Sequence, residues 1–232
     1  MFGRKKQEPQ IAPVPWDTQG PFVVGEVARP AAFRHKGLIG RRAVRMSVTL
    51  DGVRYFAAAA FVEQQDPAVR SYELHDATQA QGLLCTIVPV SGGGERYQVR
   101  DQAERQLGLV LRTPPAKRTV QHGWWLRQPG HPDIVARYHW ARGSAKEIAA
   151  RGKDATVRGA GGLAASIVDS VLHGESAADN RSYARPAKPV TWRADGEVVL
   201  TAGHTQGLKS YTPQAAWLDR RLAFALAVLG QD

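Results

Sequence analysis

Apolar and polar residues begin to alternate at Arg42. Val44, Met46, Val48 and Leu50 fall in step, with Arg45, Ser47 and Thr49 between them, the period-two pattern of a half-buried strand. Asp51-Gly52 then predicts a tight hairpin turn, with residues 53–59 as the return strand. Residues 71–76 place Tyr72 and Leu74 on one face, and 83–88 form a continuous apolar run. Two further strands are predicted at 95–101 and 106–112, the second with Leu107, Leu109 and Leu111 in register and Pro114-Pro115 ending it. Residues 118–127 and 133–141 read as another pair joined through Pro129-Gly130, with Ile134, Ala136, Tyr138 and Trp140 sharing a face. Roughly eight short strands at hairpin spacing predict an antiparallel barrel or sandwich.

The pattern changes over residues 142–189. Leu163, Ile167, Val168, Val171 and Leu172 fall on one side of a predicted helix at 163–172, closed by His173-Gly174. A polar, proline-containing loop over 175–189 completes this insertion. Strands return at 190–194 and 197–202, turned by Asp195-Gly196, with a short third at 209–212. The chain then predicts a helix over 213–229, with Thr212 as N-cap and Pro213 in its first turn. No polar side chain occurs from Leu222 to Leu229. A helix apolar on every side is buried on every side, and this one falls short of the roughly 20 residues that span a bilayer. The expected class is mainly β (α+β): a barrel or highly curved sheet over 41–232, enclosing a C-terminal helix and carrying one additional helix.

Residues 1–40 read as a basic, proline-rich arm. Pro9, Pro13, Pro15, Pro21 and Pro30 keep it extended or turning, while Trp16, Phe22, Val23 and Val24 let part of it dock. Across 232 residues the net charge is +10, with 43% hydrophobic and 22% charged residues. This describes a folded chain and excludes wholesale disorder. The positive balance favours an anionic partner: phospholipid surface, nucleic acid or acidic protein. A merely solvating basic surface is the alternative. Arg34, His35, Lys36, Arg41, Arg42 and Arg45 form the densest positive cluster. No secretory or membrane-spanning pattern is read, so the expected location is cytoplasmic, or peripheral at the membrane. The single cysteine, Cys85, lies in an apolar run and is expected to be a buried thiol.

Catalytic patterns are thin. His122, His131, Asp133 and His139 are close in sequence, but the last shares a strand face with Arg137, which disfavours a cation. Gly159-Ala160-Gly161-Gly162-Leu163-Ala164 fits a dinucleotide fingerprint without the hydrophobic strand that must precede it. Ser91-Gly92-Gly93-Gly94 is followed by a strand, not by the helix that a phosphate-cradling loop needs. Neither a nucleophile elbow nor a P-loop occurs. The expectation is no enzyme, no cofactor and no metal. Trp124-Trp125 should divide between core and outside, since adjacent strand residues face opposite ways. Candidate contacts for an anion or lipid are Arg34, Lys36, Arg41, Arg42, Arg45, Lys117 and Arg118, with Trp124 and Trp125 as aromatic contacts.

Three stretches carry a resemblance. Tyr97-Gln98-Val99-Arg100-Asp101, followed by Gln106-Leu107-Gly108-Leu109-Val110, looks like a Tyr-x-Val-x-Asp … Gly hairpin, and Tyr72-Glu73-Leu74-His75-Asp76 echoes it. With the terminal Trp217-Leu218-Asp219-Arg220-Arg221-Leu222-Ala223-Phe224-Ala225-Leu226-Ala227, the chain resembles the tubby-like superfamily over 42–232, departing at 142–189. That resemblance implies a closed antiparallel barrel around a central hydrophobic helix. The calcium-binding segment, cysteine cluster and membrane tail of scramblases are not recognisable, so scramblase activity is not implied. The basic residues by which tubby proteins hold phosphoinositides do not align, and no position here inherits that role. The expected function is non-enzymatic: a binding or adaptor protein docking on anionic membrane or phospholipid headgroups. The alternatives are a structural component of a larger protein assembly, nucleic-acid binding, or a small-molecule enzyme.

Overall fold

The computed structural model describes residues 11–26, 41–66, 68–79, 82–91, 95–118, 121–136, 189–205 and 208–231. These hold twelve strands: β1 (Phe22–Glu26), β2 (Arg42–Leu50), β3 (Val53–Asp66), β4 (Ser71–Asp76), β5 (Leu83–Pro89), β6 (Arg96–Arg100), β7 (Gln106–Arg112), β8 (Trp124–Arg127), β9 (Val135–Ala136), β10 (Val190–Ala194), β11 (Glu197–Thr205) and β12 (Leu208–Pro213). One α-helix, α1 (Arg220–Leu229), follows them, and a 3-10 turn, Pro115–Lys117, separates β7 from β8. All twelve strands join one antiparallel sheet in the order β8-β7-β6-β5-β4-β3-β2-β1-β12-β11-β10-β9. The two outermost strands meet where Leu126 and Ile134 exchange backbone hydrogen bonds of 3.0 and 2.9 Å. The result is a nearly closed barrel.

Alternation decides which side chains face inward. Phe22 and Val24, Val44 and Met46, Tyr72 and Leu74, Cys85 and Ile87, Tyr97 and Val99, and Trp124 and Leu126 all join one buried cluster. Helix α1 shares that cluster: every residue from Leu222 to Leu229 is buried. It touches β5, β6, β7 and β8 from one half of the sheet and β1 and β12 from the other. Phe224 meets Phe22 edge to face, 4.7 Å between ring centroids. Among the described residues, no helix is long and apolar enough to cross a membrane.

The glycine of the hairpin motif has a packing reason. A Cβ on Gly108 would lie 2.5 Å from the Arg127 carbonyl oxygen and 2.9 Å from Leu222 Cδ2. Only a hydrogen fits where α1 crosses β7. The two Tyr-x-(Leu/Val)-x-Asp stretches are also built alike. Each buries its tyrosine and its branched residue, then ends on a buried aspartate that closes the turn. Asp76 Oδ1 accepts from the backbone N–H and the hydroxyl of Thr78, at 2.8 and 2.6 Å. Asp101 Oδ1 accepts from the Ala103 and Arg105 N–H groups, both at 2.9 Å.

Three expectations need correction. The helix does not begin at Pro213: Thr212 and Pro213 end β12, paired with Thr201 and Leu200. Its N-cap is Asp219, whose carboxylate accepts from the Arg221 N–H at 2.9 Å. Thr-Pro and Asp are both fair local starts, and strand pairing decided between them. The arm is not wholly outside the barrel. Phe22–Glu26 is an interior strand between β2 and β12, and its Phe22, Val23 and Val24 are buried. The proline-free stretch between Pro21 and Pro30 makes that possible. Finally, the strand predicted over 118–127 is confined to Trp124–Arg127, because Pro114-Pro115 starts a 3-10 turn instead. The predicted helix at 163–172 and nearly all of the 142–189 insertion lie outside the described residues.

Antiparallel order sends successive connections to opposite ends of the barrel. Where α1 begins, the connections are tight: Asp51-Gly52, 77–82, 101–105, 128–134 and Asp195-Gly196. We term this the turn end. The strand ends that flank 27–41, 67–70, 90–95, 113–123, 137–189 and 206–207 lie where α1 finishes. This is the loop end.

Candidate functional site

At the loop end, the connection between β7 and β8 is built around one buried hydroxyl. Thr113 follows β7, and its Oγ1 donates to the His122 carbonyl at 2.6 Å. Its N–H donates to the Gly123 carbonyl at 2.7 Å, and its carbonyl accepts from Arg118 Nε at 2.8 Å. Gln121 N–H closes the turn on the Lys117 carbonyl at 3.0 Å. These bonds hold Lys117, Arg118 and His122 within one short connection.

Beneath it lies a floor of rings. Arg112 and Trp124 are register partners, and the guanidinium stands 4.7 Å from the indole centroid, within cation–π range. Trp192 Nε1 donates to the Trp124 carbonyl at 3.0 Å, and its ring meets His122 edge-on at 4.9 Å. Tyr211 lies 6.3 Å from Trp192, and Lys209 Nζ stands 5.4 Å from the Tyr211 ring. His122 Nδ1 accepts from the Trp124 N–H at 3.2 Å, which leaves the ring proton on Nε2. Burial, with added repulsion from Lys209 and Arg112, lowers the His122 pKa to about 4. The imidazole is therefore neutral and sits in positive surroundings.

Further cations at this end are engaged with carboxylates or carbonyls. Arg41 lies over Phe61 at 4.3 Å and pairs with Glu63. Arg42 donates to the Val228 carbonyl at 3.0 Å, placing a cation at the negative end of α1. Arg70 and Arg112 approach Glu95 at 3.4 and 3.5 Å.

The structure thus gathers Arg41, Arg42, Lys117, Arg118 and Trp124 from the expected contacts. Arg45 is different: it is half-buried, its Nε has no hydrogen-bond partner, and its Nη2 would lie 2.8 Å from a Cβ on Gly25. Burial lowers its pKa. It belongs to the packing of β1 on β2, not to the rim. Arg34 and Lys36 lie outside the described residues. Trp124 is buried and Trp125 half-buried beneath Arg127 at 5.3 Å, the division that strand alternation requires. Nothing in the sequence pattern joins Arg112, His122 and Lys209 as one group. The alternation of Leu107, Leu109 and Leu111 points to the opposite phase of β7, whereas the structure turns Gly108, Val110 and Arg112 inward, Val110 beside Leu126 and Arg112 beside Trp124.

The other candidate chemistry disperses. His131 stacks on Trp217 at 4.2 Å at the turn end, and Asp133 accepts from Arg127 at 2.8 and 3.1 Å. His122 is at the opposite end, and His139 lies outside the described residues. Among the described residues no group of three or more His, Cys, Asp or Glu side chains is placed to hold a metal ion. Cys85 is buried, and burial pushes its thiol up to about 12. The 159–164 glycine run lies outside the described residues. A cleft of about 410 Å³ at the turn end is lined by Trp16, Asp76, Asp101, Arg105 and Arg221 among others, but both of its aspartates are engaged in closing turns.

Comparison of the chain with family models, with curated proteins and with solved structures gives no match.

Proposed function

We propose that the protein is a non-enzymatic binding or adaptor protein whose loop end docks on an anionic phospholipid surface, so that it acts as a peripheral membrane protein. One observation carries this reading: among the described residues cations outnumber carboxylates at the loop end, where Glu26, Glu63, Asp66, Glu73 and Glu95 offset only part of them, whereas at the turn end Arg100, Arg105, Arg127, Arg193, Arg220 and Arg221 are matched by carboxylates. Arg41, Arg42, Arg70, Arg112, Lys117, Arg118 and Lys209 collect at the loop end. Asp51, Asp76, Asp101, Asp133, Asp195 and Asp219 collect at the turn end. Each basic residue near an acidic bilayer contributes about 1 kcal/mol of attraction, within about a Debye length. The architecture is read as a tubby-like barrel closed around its C-terminal helix, which supports a binding role over a catalytic one.

Co-sedimentation tests the docking. Vesicles of phosphatidylcholine with phosphatidylserine should pellet the protein, less so as salt rises, and pure phosphatidylcholine should not. K117E should reduce pelleting without lowering thermal stability, because Lys117 is exposed in a surface turn; R118E should reduce it further at a small cost in melting, since it also removes the bond from Arg118 Nε to the Thr113 carbonyl. Equal, negligible pelleting with both vesicle types would sink the proposal.

A further inference from the structure

The β2–β3 hairpin outruns the barrel at the turn end. On one side β1 pairs with β2 only as far as Met46, and on the other β4 pairs with β3 only from Ala60. Beyond those points the hairpin is a two-stranded ribbon, an element that is marginally stable in water on its own. Leu50 and Val53 face each other at its tip, 44% and 51% exposed. Among the described residues only Val69 joins them as an exposed large apolar side chain.

The turn decides which backbone groups the ribbon leaves over. Asp51 and Gly52 both have positive φ, 50° and 74°. This is the two-residue turn of type I′, whose flanking residues exchange both hydrogen bonds. Leu50 and Val53 are that flanking pair. Alternation then commits Val53, Tyr55 and Ala57 to β2, and turns the N–H and C=O of Arg54, Phe56 and Ala58 to the opposite edge. On that edge the Ala58 and Ala59 carbonyls accept from the Val14 and Ala77 N–H groups, at 2.9 and 3.1 Å. Among the described residues no strand reaches Arg54 or Phe56 there. Two N–H and two C=O groups thus stand open along Val53-Arg54-Tyr55-Phe56-Ala57, a run of strand-forming residues with a single charge. The other edge of the ribbon is blunted, because Pro21, next in line before Phe22, has no N–H to offer β2.

We propose that a second copy of the chain occupies this edge, β3 against β3, antiparallel about a two-fold axis at Tyr55. Arg54 then stands opposite the partner's Phe56 and exchanges two hydrogen bonds with it, and the same pair recurs across the axis. Guanidinium against ring is a favourable cross-strand pair, and the Phe56 ring already accepts one such neighbour, Arg45 at 5.8 Å. Tyr55 meets the partner's Tyr55 at the closer, non-hydrogen-bonded spacing, and Val53 meets the partner's Ala57. Neighbouring registers fail. One step towards the turn sets Arg54 against the partner's Arg54, like charge on like. One step the other way sets Arg54 against the partner's Ala58, whose carbonyl Val14 holds. An odd shift would set open backbone groups against committed ones. The dimer brings turn end to turn end and leaves both loop ends outermost, so it neither rests on docking nor competes with it.

Sedimentation velocity of the full chain over a concentration series tests the association. The contact is small and each copy carries a net charge of +10. A weak dimer is therefore expected, half formed at roughly 10–100 μM and tightening as salt screens the repulsion. R54P removes an N–H that bonds to nothing in the single chain, so it should weaken the dimer about tenfold or more with melting unchanged.

Oxidative cross-linking reads the register. Y55C should form a disulfide between copies, since a non-hydrogen-bonded antiparallel pair brings its Cα atoms within disulfide range, and V53C should not. The native Cys85 is buried and does not interfere. A chain that stays monomeric throughout the series overturns the proposal and leaves the edge to a strand of another protein. A dimer that R54P leaves intact, or one that cross-links through V53C but not Y55C, overturns it too.

Discussion

At the turn end, Asp101 closes its hairpin on two backbone N–H groups and on Arg105, with carboxylate and guanidinium 2.7 Å apart. Arg127 serves Asp133 in the same way, and Arg221 serves Asp219. At the loop end, Arg112, Lys209 and Arg42 lie over the faces of Trp124, Tyr211 and Tyr72. Cations meet rings at both ends, since Arg127 lies over Trp125 and Arg221 over Trp16; what differs is that these two arginines also hold the aspartates of their turns. Carboxylates at one end complete turns that the chain itself requires. Cations at the other end rest on rings, and Arg42 and Arg112 also reach the Val228 carbonyl and the Glu95 carboxylate. Charge that completes a turn is local in its effect, while charge laid on an aromatic surface can also act on a partner outside the chain. Net charge alone does not distinguish the two.

The largest test bears on what the ends share. Phe224→Asp buries a carboxylate beside Phe22 with no partner, a cost of about 5 kcal/mol or more. It should remove the soluble folded state, read by expression and solubility. Were the variant soluble with unchanged melting, α1 would not be the common core and the two ends would not be ends of one barrel.

Gly108→Ala should act at the turn end only. Its methyl meets the Arg127 carbonyl, which cannot retreat without disturbing the β7–β8 pairing. A loss of about 3 kcal/mol in urea unfolding is expected, with pelleting on anionic vesicles preserved in the folded fraction.

The ends should also fail in different pH windows. His122 binds its proton less readily when folded, about 4 against the ordinary 6.5. The unfolded chain therefore takes up the proton first. Stability should be full above about pH 6.5 and fall by roughly 2–3 kcal/mol as pH drops towards 4. His122→Gln should flatten that window. Asp101 works lower. The Arg105 hydrogen bond leads the effects that hold its pKa below the ordinary 3.8, so its contribution is present above that value and is lost as pH falls beneath it. Asp101→Asn should remove this smaller slope and leave the upper window untouched, as measured by denaturant midpoints at successive pH values.

Much of the fold was legible because it rests on short-range regularity. The alternation from Val44 to Leu50, the Asp51-Gly52 and Asp195-Gly196 turns and the burial of 222–229 each follow from a few adjacent residues. The start of α1 was not legible: Thr212-Pro213 and Asp219 are equal as local signals, and the pairing of β12 with β11 chose between them. Phe22–Glu26 looked like part of an arm because its strand partners, Arg42–Met46 and Ser210–Tyr211, lie outside any local window. For the candidate site, Lys117 and Arg118 were visible as neighbours in sequence. Arg112 and Lys209 were not, since only the order β8-β9-β10-β11-β12 around the barrel brings them to one histidine.

The placement of α1 has a consequence for synthesis. Strands leave the ribosome in order, but Phe22 cannot meet Tyr211 until nearly the whole chain has emerged, and the segment that fills the interior is translated after all twelve strands. Until then the inward row of Phe22, Val44, Met46, Leu74, Val99 and Val110 has nothing to cover it. Such non-local closure is slow and leaves a nascent sheet open to wrong pairing. A chain stalled before Arg220 should therefore be a client for chaperones, and release of the last helix should be the event that commits the barrel to close.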